Sequence, residues 1–504
     1  MKTIKIDWAI IFFCLTTSFI GVMALYGGSE YGQSLAKKQL VWLFLGLILM
    51  IVFAFFNYQN LGTYAAILYG AGILLLIITL LAGTETKGAK SWLRLGGIGF
   101  QPAEFMKLAL VIALAKYLSV REKRIANINE LLVPFVMTFI PQILIAVQPD
   151  LSYAVLLLPI LFVMLFLAGA NVSILLGFVA VGFLCLFAPM YLEYHKYIII
   201  DDIVQALRPD NYKLSDAVHI LGFESWRYVD KPGDFAGIKP EVLGWAKATL
   251  LIPENIEMFK KTAQFIFAQE KHYLRDFLAN DKAIIAVVAT CFITYGITMF
   301  LYFYYYKIDI LKNVGTVTLI LGLAFAASFV MKKTVSFKPH QVIRIVSFAN
   351  PDKFPKGAGY QLRHSIITIG SGKVFGKGFG NGDMTKGEIS FLPEWYNDFI
   401  FSVIGEQFGI IGNTTILILL FGLILRGVSI TWKSKDQFGM LLAAGINTMF
   451  FLHVVFNTGI AMGLLPVTGV PLIFVSYGGS NMVFSCIAVG ILLNIYMRRF
   501  INIK

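Results

Sequence analysis

The chain has 504 residues, 58% of them hydrophobic and only 14% charged, and its mean hydropathy is +0.74. Soluble globular domains carry about 25% charged residues, so the composition excludes a string of soluble domains and predicts an all-α polytopic membrane protein. The net charge of +13 comes from Lys and Arg scattered between apolar runs rather than gathered in one basic block, which argues against nucleic-acid binding.

A membrane-crossing helix needs about 17–25 mostly apolar residues. Runs of that kind lie at 8–27, 39–56, 61–82, 102–119, 131–147, 151–169, 172–190, 283–304, 314–331, 397–425, 438–462 and 481–498, twelve in all. The first lacks a cleavage site and reads as a span rather than a leader. Cys14, Cys185, Cys291 and Cys486 each sit inside an apolar run without CxxC spacing, as small core residues do.

Cytoplasmic loops collect Lys and Arg. Lys2 and Lys5, Arg121 with Lys123 and Arg124, Arg426 with Lys433 and Lys435, and Arg498 with Arg499 and Lys504 all fall on one side of a twelve-span chain. Both termini are therefore expected in the cytoplasm, although Lys37, Lys38, Lys332 and Lys333 run against the pattern. The division that follows is 1–190 as the first part of the membrane domain, 191–282 as an extracytoplasmic insertion, 283–331 as two further spans, 332–396 as a large outer loop, and 397–504 as the last three spans, with a cavity segment at 463–480. Within the insertion, Pro253 to Asp281 repeats apolar residues at helical spacing and predicts a surface helix. No ATP is available on the outer side, which argues against a nucleotide-driven mechanism.

The groups able to do chemistry collect at the outer ends of the spans. Glu104 and Lys107, three apart in one span, share a helix face; they predict a polar cavity, with a helix-locking salt bridge as the alternative. Asp150 follows Pro149 in a tight turn, as a helix cap or as a functional carboxylate. Asp398 opens a very apolar helix, and Ser402 and Glu406 follow it in steps of four, which predicts a wet groove. A carboxylate there suits a general base or a divalent-cation ligand. Gly370 to Gly382 is a glycine- and lysine-rich stretch that lacks P-loop spacing; it is a surface turn or an anion or sugar cradle. His453 lies within a span and is expected to hydrogen-bond to a neighbouring helix. The run 463–480 is apolar but broken by Pro466, Pro471 and several glycines, so it must be buried in protein or line a cavity; Ser480 is expected to cap the last span.

Several of these stretches together are specific. They are Gly88-Ala89-Lys90-Ser91-Trp92-Leu93, Phe100-Gln101-Pro102-Ala103-Glu104-Phe105-Met106-Lys107, Gln148-Pro149-Asp150-Leu151, Gly359-Tyr360-Gln361, Leu392-Pro393-Glu394 with Asp398-Phe399-Ile400-Phe401, and Leu464-Leu465-Pro466-Val467-Thr468-Gly469 to Ser476-Tyr477-Gly478-Gly479-Ser480. In this order and among these spans the chain resembles the SEDS family (shape, elongation, division and sporulation), and within it the RodA branch. The resemblance implies a SEDS-type helical bundle of about ten spans, here with an inserted pair. It departs from the family pattern at Ser91, Ser152 and Gln407, and at Tyr396 and Asn397, where the family usually has His and Thr.

The resemblance implies a peptidoglycan glycosyltransferase that polymerises lipid II into glycan strands on the outer face during cell-wall elongation, releasing undecaprenyl pyrophosphate. The family's essential aspartate falls on Asp398, which would accept the proton of the acceptor hydroxyl directly or through a bound Mg²⁺ or Mn²⁺. Lys107, Lys90 and Lys377 are candidates to offset the diphosphate charge, with Glu104 orienting Lys107; Gln101, Asp150, Glu406 and Ser476 complete the expected substrate contacts. The implied partners are a class B penicillin-binding protein and other elongation proteins. A flippase for lipid II is one alternative, although it needs polar groups through the membrane depth and these cluster at one side; a non-catalytic scaffold whose long outer segments recruit wall enzymes is the other.

Overall fold

The computed structural model describes residues 6–86, 89–95, 98–121, 128–148, 150–206, 277–278, 280–305, 309–334, 344, 346–349, 358–383 and 392–499. The predicted surface helix lies outside these residues except for its last few positions. The chain forms two compact units, 1–172 with 361–504, and 173–360.

In the first unit the helices are α1 (Trp8–Gly28), α2 (Glu30–Phe55), the short α3 (Tyr58–Thr63), α4 (Ala65–Ala82), α5 (Pro102–Val120), α6 (Ile128–Val147) and α7 (Leu151–Leu167). The second unit holds α8 (Val172–Ala206), α9 (Asp281–Tyr304) and α10 (Asp309–Thr334). After α11 (Ala358–Ser371), the first unit resumes with α12 (Ile400–Trp432), α13 (Gln437–Ala461) and α14 (Gly479–Arg498). Each of the twelve expected spans is helical, except that the third, 61–82, is broken at Tyr64 between α3 and α4. Among the described residues nine are long and apolar enough to cross a membrane. The other three are α5, which carries Glu104, Lys107 and Lys116, and α7 and α10, whose apolar stretches are shorter.

In the first unit α13 packs against α5, α7 and α12, while α14 packs on α2 and α1 on α12. The centre of the bundle is thus α5 and α13, whose side chains are almost all buried. Glu104 and Lys107 of α5 therefore face protein, while Lys116 near its other end is exposed. Cys14 and Cys486 are both buried as expected, and they face each other.

Ion pairs and hydrogen bonds fix the two ends of the bundle. At one end Arg426 pairs with Asp7 at 2.6 Å, the Tyr58 hydroxyl donates to Asp436, and Arg121 pairs with Glu130 at 2.9 Å. The opposite end carries Asp398, Asp150, Gln101 and the 463–478 segment.

Three elements differ from the sequence expectation. The connector 83–101 contains a small antiparallel sheet, β1 (Thr84–Thr86), β2 (Ala89–Leu95) and β3 (Ile98–Phe100), with Leu93 opposite Phe100 and Arg94 opposite Gly99. The seventh span runs on as one helix to Ala206 instead of ending at 190, because Pro189 is accommodated within it. The outer loop contains α11, whose inward residues are Leu362, Ser365 and Thr368. That face has too little apolar character to give a periodic signal.

In the second unit α9 and α10 form a packed hairpin. Asn280 caps α9 by accepting from the amides of Lys282 and Ala283, and Asp281 pairs with Lys332 at 2.8 Å.

The glycine stretch proves to be a splice into a broken helix. At Gly409 (φ +65°) α12 kinks. The amides of Ile410 and Ile411 donate to Lys373 O at 2.9 Å and Val374 O at 3.3 Å, while the carbonyls of Glu406 and Gln407 accept from Lys377 N at 2.9 Å and Gly378 N at 3.1 Å. The loop thereby replaces the hydrogen bonds that the kink removes, as buried backbone requires. Such backbone contact leaves no room for a side chain: a Cβ on Gly376, which has φ +82°, would lie 2.2 Å from Gln407 O. Gly372 and Gly376 serve close approach to the helix, whereas Gly370 and Gly380 have open space at their Cβ. Gly376→Ala should therefore lower stability by about 1–3 kcal/mol, read as a lower melting temperature in detergent. Gly370→Ala, with open space at its Cβ, should be neutral or slightly stabilising.

Candidate active site

The first cluster is built on α5. Pro102 sits in the first turn, where its missing N–H costs nothing, and Glu104 and Lys107 follow on the inward face. Both are buried, 3% and 1% exposed, and their charges meet at 3.0 Å. Glu104 Oε1 also accepts from the Tyr153 hydroxyl of α7 at 2.7 Å. Lys107 Nζ lies 2.6 Å from His453 Nε2 and 4.7 Å from the Tyr153 ring centroid. His453 Nδ1 sits 2.8 Å from Pro471 O, which can only accept. Nδ1 therefore carries the proton, Nε2 accepts, and the ammonium donates. All three N–H groups of Lys107 are thus engaged, on a carboxylate, an imidazole and a ring face.

The expected open cavity at this pair is instead a sealed salt bridge. A buried pair is sustained only when its remaining polar atoms are satisfied, and Tyr153 and His453 supply that. Neither residue was singled out as a partner for the pair. The signal for α13 was available, because His453 and Asn457 are four apart in an apolar helix and so share a face.

The second cluster joins α5, α7 and α14. Gln101 Nε2 donates to Asp150 Oδ2 at 3.1 Å, and the Gln101 amide donates to Ser480 Oγ at 3.1 Å. Ser480 lies inside α14, whose cap position is Gly478, so its expected capping role gives way to this interhelical bond. Burial pushes the Asp150 carboxyl up to about 6.

Asp398 lies in the turn just before α12, not on the first helical turn, and its side chain is half-buried. Its backbone is held from two sides. Its amide donates to Glu394 O at 3.1 Å, and its carbonyl accepts from Asn457 Nδ2 at 3.0 Å. Asn457 Nδ2 also donates to Val470 O at 2.8 Å, so α13 ties the turn to the broken segment. Ser476 Oγ donates to Asn397 O at 2.6 Å and accepts from Leu472 N at 2.8 Å, and Tyr477 N donates to Tyr396 O at 2.9 Å. Gln39 of α2 bonds both Ser476 O at 3.1 Å and Gly478 N at 3.2 Å. Glu394 has φ +59°, a strained value of the kind concentrated at functional turns. The Asp398 carboxylate lies within electrostatic reach of Tyr153 and Tyr396, which links this turn to the first cluster.

The predicted line from Asp398 through Ser402 and Glu406 does not form a wet groove. Ser402 and Glu406 are fully buried. Ser365 donates to Ala461 O at 2.7 Å, so Ser402 donates to Ser365, 2.6 Å away. Glu406 Oε1 takes Lys377 Nζ at 2.8 Å and the Asp383 amide at 2.9 Å. The reason is that α11 and the glycine loop cover this face of α12. Burial opposes the charge on Lys377, but Glu406 and Asp383 outweigh it and hold the ammonium above its ordinary value. Lys90 stands exposed on β2.

Among the described residues no group of three or more His, Cys, Asp or Glu side chains comes together to hold a metal. Asp398 provides a single carboxylate, which matches the way Mg²⁺ is held by one or two carboxylates together with substrate phosphates rather than by an all-protein cage.

The chain was compared with known proteins. It is 28% identical to peptidoglycan glycosyltransferase RodA of Treponema pallidum, with 98% of each chain covered. It is 25% identical to stage V sporulation protein E of Bacillus subtilis, covering 97% of this chain and 96% of the relative. Its fold matches a chain of a solved peptidoglycan synthase complex with TM-score 0.57, at 22% identity and 99% coverage of both. It also matches the crystal structure of the rod shape determining protein RodA of Thermus thermophilus with TM-score 0.53, at 21% identity, over 99% of this chain and 98% of that one. The model of the cell cycle protein family named for FtsW, RodA and SpoVE covers residues 3–221 and 258–500. An integral membrane bundle with this sequence signature and this fold belongs to the FtsW/RodA/SpoVE family of cell cycle proteins.

Proposed function

We propose that the chain is a peptidoglycan glycosyltransferase that polymerises lipid II into glycan strands for wall elongation. The observation that carries the reading is the Asp398 turn. A half-buried carboxylate sits on a backbone pinned from α13 and the 463–478 segment, within electrostatic reach of a fully satisfied buried cluster. Rigid support of this kind is what a positioned base requires.

In the proposed step Asp398 accepts the proton of the acceptor's GlcNAc 4-hydroxyl. The freed oxygen attacks the anomeric carbon of the lipid-linked strand, the new glycosidic bond forms, and the bond to undecaprenyl diphosphate breaks with its electron pair. Of the three candidate cations, Lys90 is the one we assign to the diphosphate. Lys107 has no N–H to spare, and Lys377 already faces two carboxylates. Glu104 and Lys107 hold α5, α7 and α13 together beneath the turn. Gln101 and Asp150 shape the neighbouring wall, Ser476 sets the turn, and Glu406 acts inside the α12 break. A divalent cation, Mg²⁺ or Mn²⁺, would be held on the protein side by Asp398 and would neutralise diphosphate charge. The proposed partner is a class B penicillin-binding protein that crosslinks the strand, a pairing supported by the likeness to a synthase complex that coordinates polymerisation and crosslinking.

The test is purified protein and partner with purified lipid II. Polymer resolved on a gel is expected; lipid II translocation in vesicles without polymer would favour a flippase instead. The proposed topology has the turn on the outer face and both termini in the cytoplasm, as the distribution of Lys and Arg suggests. Single cysteines at Phe375, which is 80% exposed, and at Lys435 should react with an impermeant thiol reagent from opposite sides of the membrane; labelling from the same side contradicts the topology.

A further inference from the structure

The Asp398 turn is flanked by an aromatic cluster that the proposed reaction leaves unused. Tyr396 lies at its centre. Its ring centroid is 5.8 Å from Tyr31, 6.1 Å from Tyr477 and 5.8 Å from Trp395, each pair crossing edge to face. The three tyrosines come from separate parts of the chain: the first turn of α2, the Asp398 turn, and the second residue before the start of α14.

The cluster is built, not incidental. Trp395 is buried and wedged against the α1–α2 corner, where a Cβ on Gly28 or Gly32 would come within 2.3 or 2.7 Å of its ring. Gln39, about two helical turns beyond Tyr31, ties α2 to Ser476 and Gly478 on either side of Tyr477. The Tyr396 phenol hydrogen-bonds Glu394. Yet Tyr31 remains 59% exposed, so a rigid aromatic group is held in place and left open.

The chemistry beside it selects the ligand class. Two carboxylates, Glu394 and Asp398, occupy the same turn. They accept hydrogen bonds, so they suit a neutral polyhydroxyl ligand. A pyranose ring also presents a face of C–H groups whose positive edge charge matches the negative face of an aromatic ring.

We propose that Tyr31, Tyr396 and Tyr477 form a saccharide platform that seats a pyranose ring of the glycan acceptor beside Asp398. The proposal rests on the glycosyltransferase reading and adds to it where the sugar lies. Membrane-interface belts also use tyrosine, and the experiment separates the two roles. Binding of lipid II and of undecaprenyl diphosphate without sugar is measured on the full chain in detergent, for the wild type, Tyr31→Ala and Tyr31→Phe. Tyr31→Ala should raise Kd for lipid II by about three- to tenfold, Tyr31→Phe should bind like the wild type, and the bare diphosphate should be unaffected by either. The platform is overturned by an unchanged Kd for lipid II in Tyr31→Ala, by equal weakening of both ligands, or by a wild type that does not prefer the sugar-bearing ligand. Polymer formation with unchanged binding in Tyr31→Ala removes the platform alone; sugar-selective binding that Tyr31→Ala weakens, without polymer, removes the glycosyltransferase reading alone. If Tyr31→Ala fails to fold, Tyr477→Ala, which removes a second ring of the cluster, is measured in the same way: it should weaken binding of lipid II and leave that of the bare diphosphate unaffected, and an unchanged Kd for lipid II overturns the platform.

Discussion

Asp398→Ala should reduce lipid II polymerisation by about 10²–10⁴-fold, the usual contribution of a positioned general base, while leaving the protein folded and partner-bound. The structure supports that separation of activity from stability. The bonds that hold the turn run through the Asp398 backbone, to Glu394 O and from Asn457 Nδ2, and truncating the side chain leaves them intact. Asp398→Asn tests the chemistry more closely, because it keeps the shape and cannot take a proton. Polymer within a few-fold of wild type from either variant, with melting temperature unchanged, would remove Asp398 from the reaction.

Lys107→Met should act the other way, on the fold first. It strips Glu104 of its counter-ion in a site that is 3% exposed, and an unpaired buried charge costs about 3–5 kcal/mol. The expected observation is a large fall in melting temperature and in the yield of folded protein. Adding Glu104→Gln should recover much of the loss, since the neutral amide still accepts from Tyr153 and no charge is left buried. Because every Lys107 donor is already used inside the protein, activity per folded molecule in the double variant should recover with stability. Restored stability with polymerisation still absent would show instead that the ammonium acts on the substrate.

The two predictions mark where the sequence is a good guide and where it is not. Asp398, Glu104, Lys107, Gln101 and Asp150 all stand out in one dimension, because an ionisable or amide group in or beside a long apolar run is conspicuous. Their partners do not. Tyr153 and His453 sit 49 and 346 residues from the groups they bond, and Asn457 is 59 residues from Asp398. Nothing local announces such pairings. The glycine stretch misleads for a related reason: close backbone approach is written in the glycines, but whether the approaching atoms belong to a ligand or to another helix is not. Here they belong to α12, through the carbonyl oxygens of Glu406 and Gln407.

By itself the sequence determined a helical membrane bundle and the positions of its apolar helices, nine of which, among the described residues, are long and apolar enough to cross a membrane. Span length and apolarity follow directly from the thickness and polarity of a bilayer. It also predicts a side for every connection, since alternating spans put successive connections on opposite faces. Only the tertiary structure decided that Glu104 and Lys107 close on each other instead of opening to a cavity. The same holds for Ser402 and Glu406, which lie under α11 and the glycine loop, and for Tyr31, Tyr396 and Tyr477, which meet beside Asp398. Those outcomes depend on which helix faces which neighbour. A polar side chain in an apolar span must find a partner to offset its desolvation, but the choice of partner is made by packing.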